Sequence, residues 1–322
     1  AIVFAVVLAL LAGTRYHVGC DYLGYQLRFD SAGLYKSWAT LITQEEPGFN
    51  GLQLAIKQAG FSYSALILVV SCIYLACVSR FASLARAPST FLVLAFPVLV
   101  VQLGMSGMRQ AMALGFLMLA LVSFTQRARI LTAIWILVAA QFHSSAIIFL
   151  PIALLVGRHL STQRILLALV LLGPVVILLL QSQLEVYSDR YIEQIYGENS
   201  ASGAWFRYAL VVLPFGMLAL WYRQVEARFP QTIELMRLFM LITFVMAPIG
   251  LLSSVVLHRL VFYVMPVSII TLLAVAETLA AVWRESLIRL APFVVYGAYI
   301  VVWFNLSRRA SLCYVPYQSW LF

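Results

Sequence analysis

Long apolar stretches alternate with short polar ones along the chain. Runs with almost no charge occupy about 1–13, 62–79, 89–104, 109–126, 130–142, 144–157, 163–181, 205–222, 235–252, 257–282 and 286–306. A helix needs about 20 apolar residues to cross a bilayer. Runs of this length and spacing predict an all-α polytopic membrane protein with about 11 transmembrane helices. Runs 130–142 and 144–157 are each short, and His143 alone separates them. They read as two short helices or as one long broken one. Run 1–13 is short for a span and reads as a first transmembrane helix with its beginning trimmed off. A signal peptide fits less well, because no cleavage-site pattern leads into a soluble domain. Residues 1–322 together read as a single transmembrane domain.

The charges assign sides to these helices. The short connections 79–88, 126–130, 157–164, 222–237 and 283–289 are rich in arginine, from Arg80 and Arg86 to Arg284 and Arg289. If every run is a helix, all five fall on one side. Lys and Arg collect in short cytoplasmic loops, so that side is the inside. The outer side receives 14–61, 182–204 and the tail 307–322. In 182–204, Glu185, Asp189, Glu193 and Glu198 outweigh Arg190. The alternation needs an odd number of helices, which favours a split at His143. The N-terminus is then inside and the C-terminus outside. The outer segment 14–61 mixes aromatic residues with balanced charge, and about 28–43 suits an amphipathic helix lying at the interface. Pro47-Gly48 marks a turn. No internal repeat is visible, so the inverted-repeat signature of many transporters is missing.

Composition narrows the class. Of 322 residues, 63% are hydrophobic and only 10% charged, and the mean hydropathy is +0.97. A soluble domain is nearer half apolar and a quarter charged. That excludes a soluble globular protein, a disordered chain and a nucleic-acid-binding domain. The net charge of +9 is dispersed over the loops. Cys20, Cys72, Cys77 and Cys313 form no CxxC spacing. Cys20 and Cys313 both fall outside, as a disulfide or as free thiols. Cys72 and Cys77 read as packing residues of one helix.

Helices entering from the outer side open with basic groups. Arg109-Gln110 opens one, and His143 stands ahead of Ser144-Ser145 at the next. Arg207 opens a third and His258-Arg259 a fourth. A helix N-terminus is already electropositive, so basic groups there are unfavourable unless an anion sits among them. Exposed N–H groups with arginine make a phosphate site. Arg207 and Arg259 also read as residues snorkelling to lipid headgroups. Arg109 follows the short turn Gly104-Met105-Ser106-Gly107-Met108, which places it below headgroup level, where ionisable groups are costly and functional. His143 reads either as a buried histidine satisfied by a neighbouring helix or as a general base. Asp21, Asp30, Glu45 and Glu46 read as solvated loop charges or, for Asp21 and Glu46, as candidate bases. There is no Asp-x-Asp pair and no His/Cys cluster, so no metal is expected. A phosphate-loop motif is also missing, and no cofactor is expected.

These residues fall in a recognisable order. Gly19-x-Asp21-Tyr22, Glu46-Pro47-Gly48-Phe49, Arg109-Gln110, Phe142-His143-x-Ser145-Ala146, Arg259-x-x-x-Tyr263 and Pro316-Tyr317 together resemble the EpsG-type family of Wzy-like polymerases of bacterial exopolysaccharide or capsule. The resemblance covers nearly the whole chain. It is best over 15–49 and 104–147 and poorer over 160–250, where Arg207 lies. It implies an inner-membrane enzyme related to the GT-C glycosyltransferases. Such an enzyme joins oligosaccharide repeat units carried on undecaprenyl diphosphate at the outer face of the membrane. The growing chain moves from its lipid diphosphate to a sugar hydroxyl of the next unit, without ATP or a nucleotide sugar. On that reading Arg109, Arg259 and Arg15 neutralise the leaving diphosphate. Gln110, Arg207 and Tyr263 add contacts to the lipid-linked substrate. His143, Asp21 or Glu46 takes the acceptor proton, and Tyr22, Trp38 and Tyr317 stack on sugar rings. The implied partners are undecaprenyl-diphosphate-linked oligosaccharide, the bilayer and other polysaccharide export proteins, not nucleic acid.

Two other functions compete. An O-antigen ligase uses the same donor with a different acceptor. A flippase or other transporter needs a polar path across the membrane. Here the charges lie at helix ends, with Glu277 the main exception and close to the inner end, which favours a surface reaction.

Overall fold

The computed structural model describes residues 2–32, 38–41, 45–157, 163, 202–252 and 254–321. The helix expected over 163–181 lies outside the described residues except for Gln163. So does the acidic loop 182–204 up to residue 201.

All the regular elements described are helices. In chain order they are α1 (Ile2–Gly13), α2 (Tyr22–Ser31), α3 (Trp38–Leu41), α4 (Pro47–Gln58), α5 (Tyr63–Ala82) and α6 (Pro88–Ala95). A π-helical segment, Phe96–Gly104, continues α6. There follow α7 (Met108–Thr125), α8 (Arg129–Phe142), a 3-10 turn over Ser144–Phe149 and α9 (Ile152–Leu155). After 201 come α10 (Ser202–Leu220), α11 (Tyr222–Arg228), α12 (Ile233–Leu252) and α13 (Ser254–Val282). A 3-10 turn over Ser286–Leu290, α14 (Ala291–Leu306) and α15 (Arg308–Tyr314) close the chain.

The all-helical class is as expected. Among the described residues, five helices are long and apolar enough to cross a membrane, and four more are apolar but shorter. The expected count of about 11 exceeds what these residues establish. Some short elements have local causes. Pro97 lies at the junction of α6 and the π-helical segment; proline has no N–H to give to the helical ladder, so the hydrogen-bond register changes there. The amphipathic helix expected over 28–43 is not continuous. The helix starts earlier, at Tyr22, and stops at Ser31 because Ala32 turns to extended backbone.

Helix α13 is the centre of the bundle: 89% of its most apolar window is buried, against 11% for the stretch Ser286–Leu306. Around α13 pack α10 and α12, with α6, α7 and α14 beside them. A second layer is built by α5 between α1 and α7, and by α8 on α7. Between α2, α4, α5 and α7 lies a smaller aromatic cluster holding Tyr22, Tyr25, Phe29, Phe49 and Tyr63. The break at His143 is real. Its backbone is extended (φ −154°, ψ 116°) between α8 and the 3-10 turn, and α9 packs back on α8.

The helices share two polar ends. At one, the loop after α1 meets the turn before α7 and the C-terminal tail. Cys20 and Cys313 form a disulfide, settling the alternative left open by the sequence. The Cys20 N–H donates to Ser106 Oγ at 3.1 Å, and Ser106 Oγ lies 2.5 Å from Tyr314 Oη. Gly19 (φ 106°) is required here, since a Cβ would meet the Met105 carbonyl oxygen at 2.0 Å. At the other end three arginine-rich loops converge. Arg86 pairs with Glu277 at 3.1 Å, donates to the Arg228 carbonyl at 3.0 Å and lies over the Phe229 ring.

Candidate active site

The site begins with Glu46. Its backbone is left-handed (φ 55°, ψ 56°), and Pro47 opens α4 directly after it. That sharp entry turns the carboxylate inward, and the residue is only 6% exposed. Glu45, its neighbour, is exposed. Gly48 lets the start of α4 press against the end of α8: a Cβ there would lie 2.8 Å from the Gln141 side chain and 3.0 Å from its carbonyl oxygen. Two residues on, α8 ends at His143.

Glu46 accepts two hydrogen bonds. Oε1 lies 2.5 Å from His143 Nδ1, and Oε2 is held by Arg109 Nη1 in an ion pair. Arg109 Nε reaches Tyr25 Oη at 3.5 Å, and the guanidinium lies 5.9 Å from the centre of that ring. Burial alone pushes the Glu46 pKa up. The hydrogen bond to His143 and the charge of Arg109 outweigh it and hold the carboxyl below its ordinary value. A carboxylate on Nδ1 favours hydrogen on that nitrogen, so that an uncharged ring carries its lone pair on Nε2.

This corrects the electrostatic argument from sequence. The anion that satisfies Arg109 at the α7 N-terminus belongs to the chain itself. Two other basic ends also change. Helix α10 begins at Ser202 and α13 at Ser254, so Arg207 and Arg259 sit inside their helices, beyond the first turn where the dipole acts.

Further candidates adjoin the network. Gln110 Nε2 donates to the Arg259 carbonyl at 2.7 Å, and Ser145 Oγ is 2.9 Å from Tyr263 Oη. Arg207 is buried over the Phe262 ring at 5.2 Å. Glu46, His143 and Arg109 thus form one network, while Gln110 neighbours Arg109 in α7 and is tied to the Arg259 backbone, Tyr263 is tied to Ser145, and Arg207 rests on Phe262. Arg15 lies toward the disulfide end, bridged to Ser319 and surrounded by Tyr22, Tyr63, Tyr314 and Tyr317. It is 1% exposed, donates to the Ala12 carbonyl, and its Nε has no hydrogen-bond partner among the described residues. Burial lowers its pKa; the nearby phenols of Tyr63, Tyr314, Tyr22 and Tyr317 act against that.

Other expected roles find different surroundings. Tyr22 is buried edge-on against Tyr63, and the Tyr317 hydroxyl is bonded to the Leu11 carbonyl. Trp38 Nε1 donates to Gln58 at 2.8 Å. Asp21 is exposed at the N-cap of α2. Tyr25 was given no role from sequence; its spacing with Tyr22 and Phe29 marks a buried helix face, which reads as packing. Among the described residues no group of His, Cys, Asp and Glu could hold a metal ion.

These features define a multi-pass helical membrane protein with a buried Glu–His–Arg network at one end of its bundle. The chain belongs to the EpsG family, whose profile matches residues 1–319, the family of Wzy-like polysaccharide polymerases. No curated protein and no solved structure matches it.

Proposed function

We propose that the chain is a glycosyltransferase that joins oligosaccharide repeat units carried on undecaprenyl diphosphate, at the outer face of a bacterial inner membrane. The observation that carries the reading is the Glu46 carboxylate bonded to both His143 and Arg109. The Glu46–His143 pair is a base with its orienter, the arrangement that lets an imidazole accept a proton from a hydroxyl. His143 Nε2 takes the proton of the acceptor sugar hydroxyl as that oxygen bonds to the donor's anomeric carbon. The anomeric C–O bond breaks, and its electron pair leaves on the lipid diphosphate. Arg109 keeps Glu46 ionised and stands at the electropositive start of α7. Arg259, Gln110 and Arg207 bind the leaving diphosphate, with Tyr263 held toward it by Ser145. The buried, carboxylate-free Arg15 is a second phosphate contact. On the family resemblance the enzyme is related to the GT-C glycosyltransferases. The outward orientation rests on the Cys20–Cys313 disulfide at the site end, since disulfides persist in oxidising compartments, and on the arginine-rich loops at the other.

The test is elongation of a purified lipid-linked repeat unit in detergent across pH, with wild type and His143→Gln. In detergent there is no second compartment, so lengthening of the product separates polymerisation from transport. The wild-type rate should fall on the acidic side. The variant should lose that limb and at least about 100-fold in turnover, the lower range for a positioned general base. Near-normal turnover in His143→Gln overturns the assignment. A basic limb that vanishes in the variant makes His143 a cationic phosphate ligand instead.

A further inference from the structure

The end of the bundle opposite the site contains a cavity of about 210 Å³. Its walls are apolar: Leu84 and Ala85 from the turn after α5, Ile270, Leu273 and Ala274 from α13, and Phe293 from α14. Its mouth is charged. Arg86 and Arg289 line it against one carboxylate, Glu277. Arg86 is already paired with Glu277 and stacked on Phe229. Arg289 is exposed and makes no ion pair or hydrogen bond among the described residues. The rim residues Leu290 and Phe293 are also exposed, in the stretch least buried by the protein. Trp221 and Trp283 stack edge-on at the same end, with ring centres 5.7 Å apart. Tryptophans of this kind gather at the level of lipid headgroups.

We propose that this cavity is a binding site for one anionic phospholipid, with an acyl chain between α13 and α14 and its phosphate on Arg289. Two features select that occupant over others. An apolar cavity rimmed by the little-buried stretch Ser286–Leu306 suits an acyl chain better than a soluble anion. A guanidinium that has no carboxylate partner among the described residues, at headgroup level, favours an anionic lipid over a zwitterionic one. The proposal does not depend on the reaction at the other end and stands if that reading fails.

The test is native mass spectrometry of the detergent-purified protein. The probes are phosphatidylglycerol, phosphatidylcholine with the same acyl chains, and glycerol 3-phosphate. Phosphatidylglycerol should be retained about fivefold over phosphatidylcholine, equal to about 1 kcal/mol for one basic residue at a membrane surface. Glycerol 3-phosphate should not be retained. Arg289→Gln should bring the two lipids level. Ala274→Leu, which fills the slot, should reduce retention of both. Equal retention by the wild type, or an unchanged preference in Arg289→Gln, overturns the proposal. So does retention of glycerol 3-phosphate, which would make the site one for a soluble anion. Arg289 is exposed, so its replacement leaves the fold intact even where Ala274→Leu does not.

Discussion

Glu46 is the residue on which the site turns, and its ionisation can be followed by pH. Its folded-state pKa lies below the ordinary carboxyl value. The stability it contributes is therefore fully present above that ordinary value and is lost as pH falls through the depressed one. In Glu46→Gln, Arg109 keeps its charge but loses its partner. The expected cost is about 1–3 kcal/mol, toward the lower figure because the Arg109 side chain is 25% exposed and water can reach it. Thermal unfolding in detergent at about pH 7 and about pH 4 checks this. The gap between wild type and variant should be present at the higher pH and narrow at the lower. A gap that does not change with pH would mean that the ion pair is not its source. The members of this network were legible one at a time, because an ionisable group among apolar neighbours is conspicuous. Their pairing was not, since Glu46 is 63 residues from Arg109 and 97 from His143. Nothing local in the sequence says that a loop carboxylate turns inward to neutralise a helix end.

At the scale of elements, the site depends on how closely α4 meets α8. The glutamate that starts α4 and the histidine that ends α8 come together only because Gly48 has no side chain. Gly48→Ala puts a methyl group within 3.0 Å of the Gln141 carbonyl oxygen and should push the start of α4 away. Misplacing a reacting group by a fraction of an ångström to one ångström costs roughly tenfold to hundredfold in rate. Elongation should fall by that amount with membrane protein level little changed, while Glu45→Ala, an exposed neighbour, should act like wild type. Equal activity in the two variants would remove the close approach from the argument. The apolar runs gave the all-helical class and the break at His143, because both follow from hydropathy and spacing, but not the number of spans. They did not give the π-helical turn after Pro97, where one missing N–H changes the hydrogen-bond register. Nor did they give the stop at Ala32, where the backbone leaves the helix within an otherwise amphipathic stretch.

For the whole molecule the open quantity is orientation. The helices carry the site network and the disulfide to one end and Arg86, Arg228 and Arg289 to the other. In a Cys72→Ser background, a cysteine at Glu45 should react with an impermeant thiol reagent applied from outside. A cysteine at Arg228 should not. The reverse pattern would place the Glu46 network in the cytoplasm and remove the proposed extracellular reaction. That the arginine-rich loops share one end was legible in the sequence; which side of the membrane that end faces is the expectation this labelling tests. The burial of α13 was not legible: its hydropathy resembles that of α14, yet one is enclosed by protein and the other faces outward. Composition reports that a helix avoids water, not whether protein or lipid replaces it.

The bond between Cys20 and Cys313 also sets a constraint on biosynthesis. Its two halves are 293 residues apart. At about 5–20 residues per second, the first thiol emerges roughly 15–60 s before its partner. In that interval the Cys20 thiol has no Cys313 to close on, while the helices between them are still being made. The closed bond thus marks that the chain has been made as far as Cys313 and that this residue has reached Cys20. A chain stalled before Cys313, or one that carries Cys313 to the end of the bundle opposite Cys20, would keep an open thiol at Cys20.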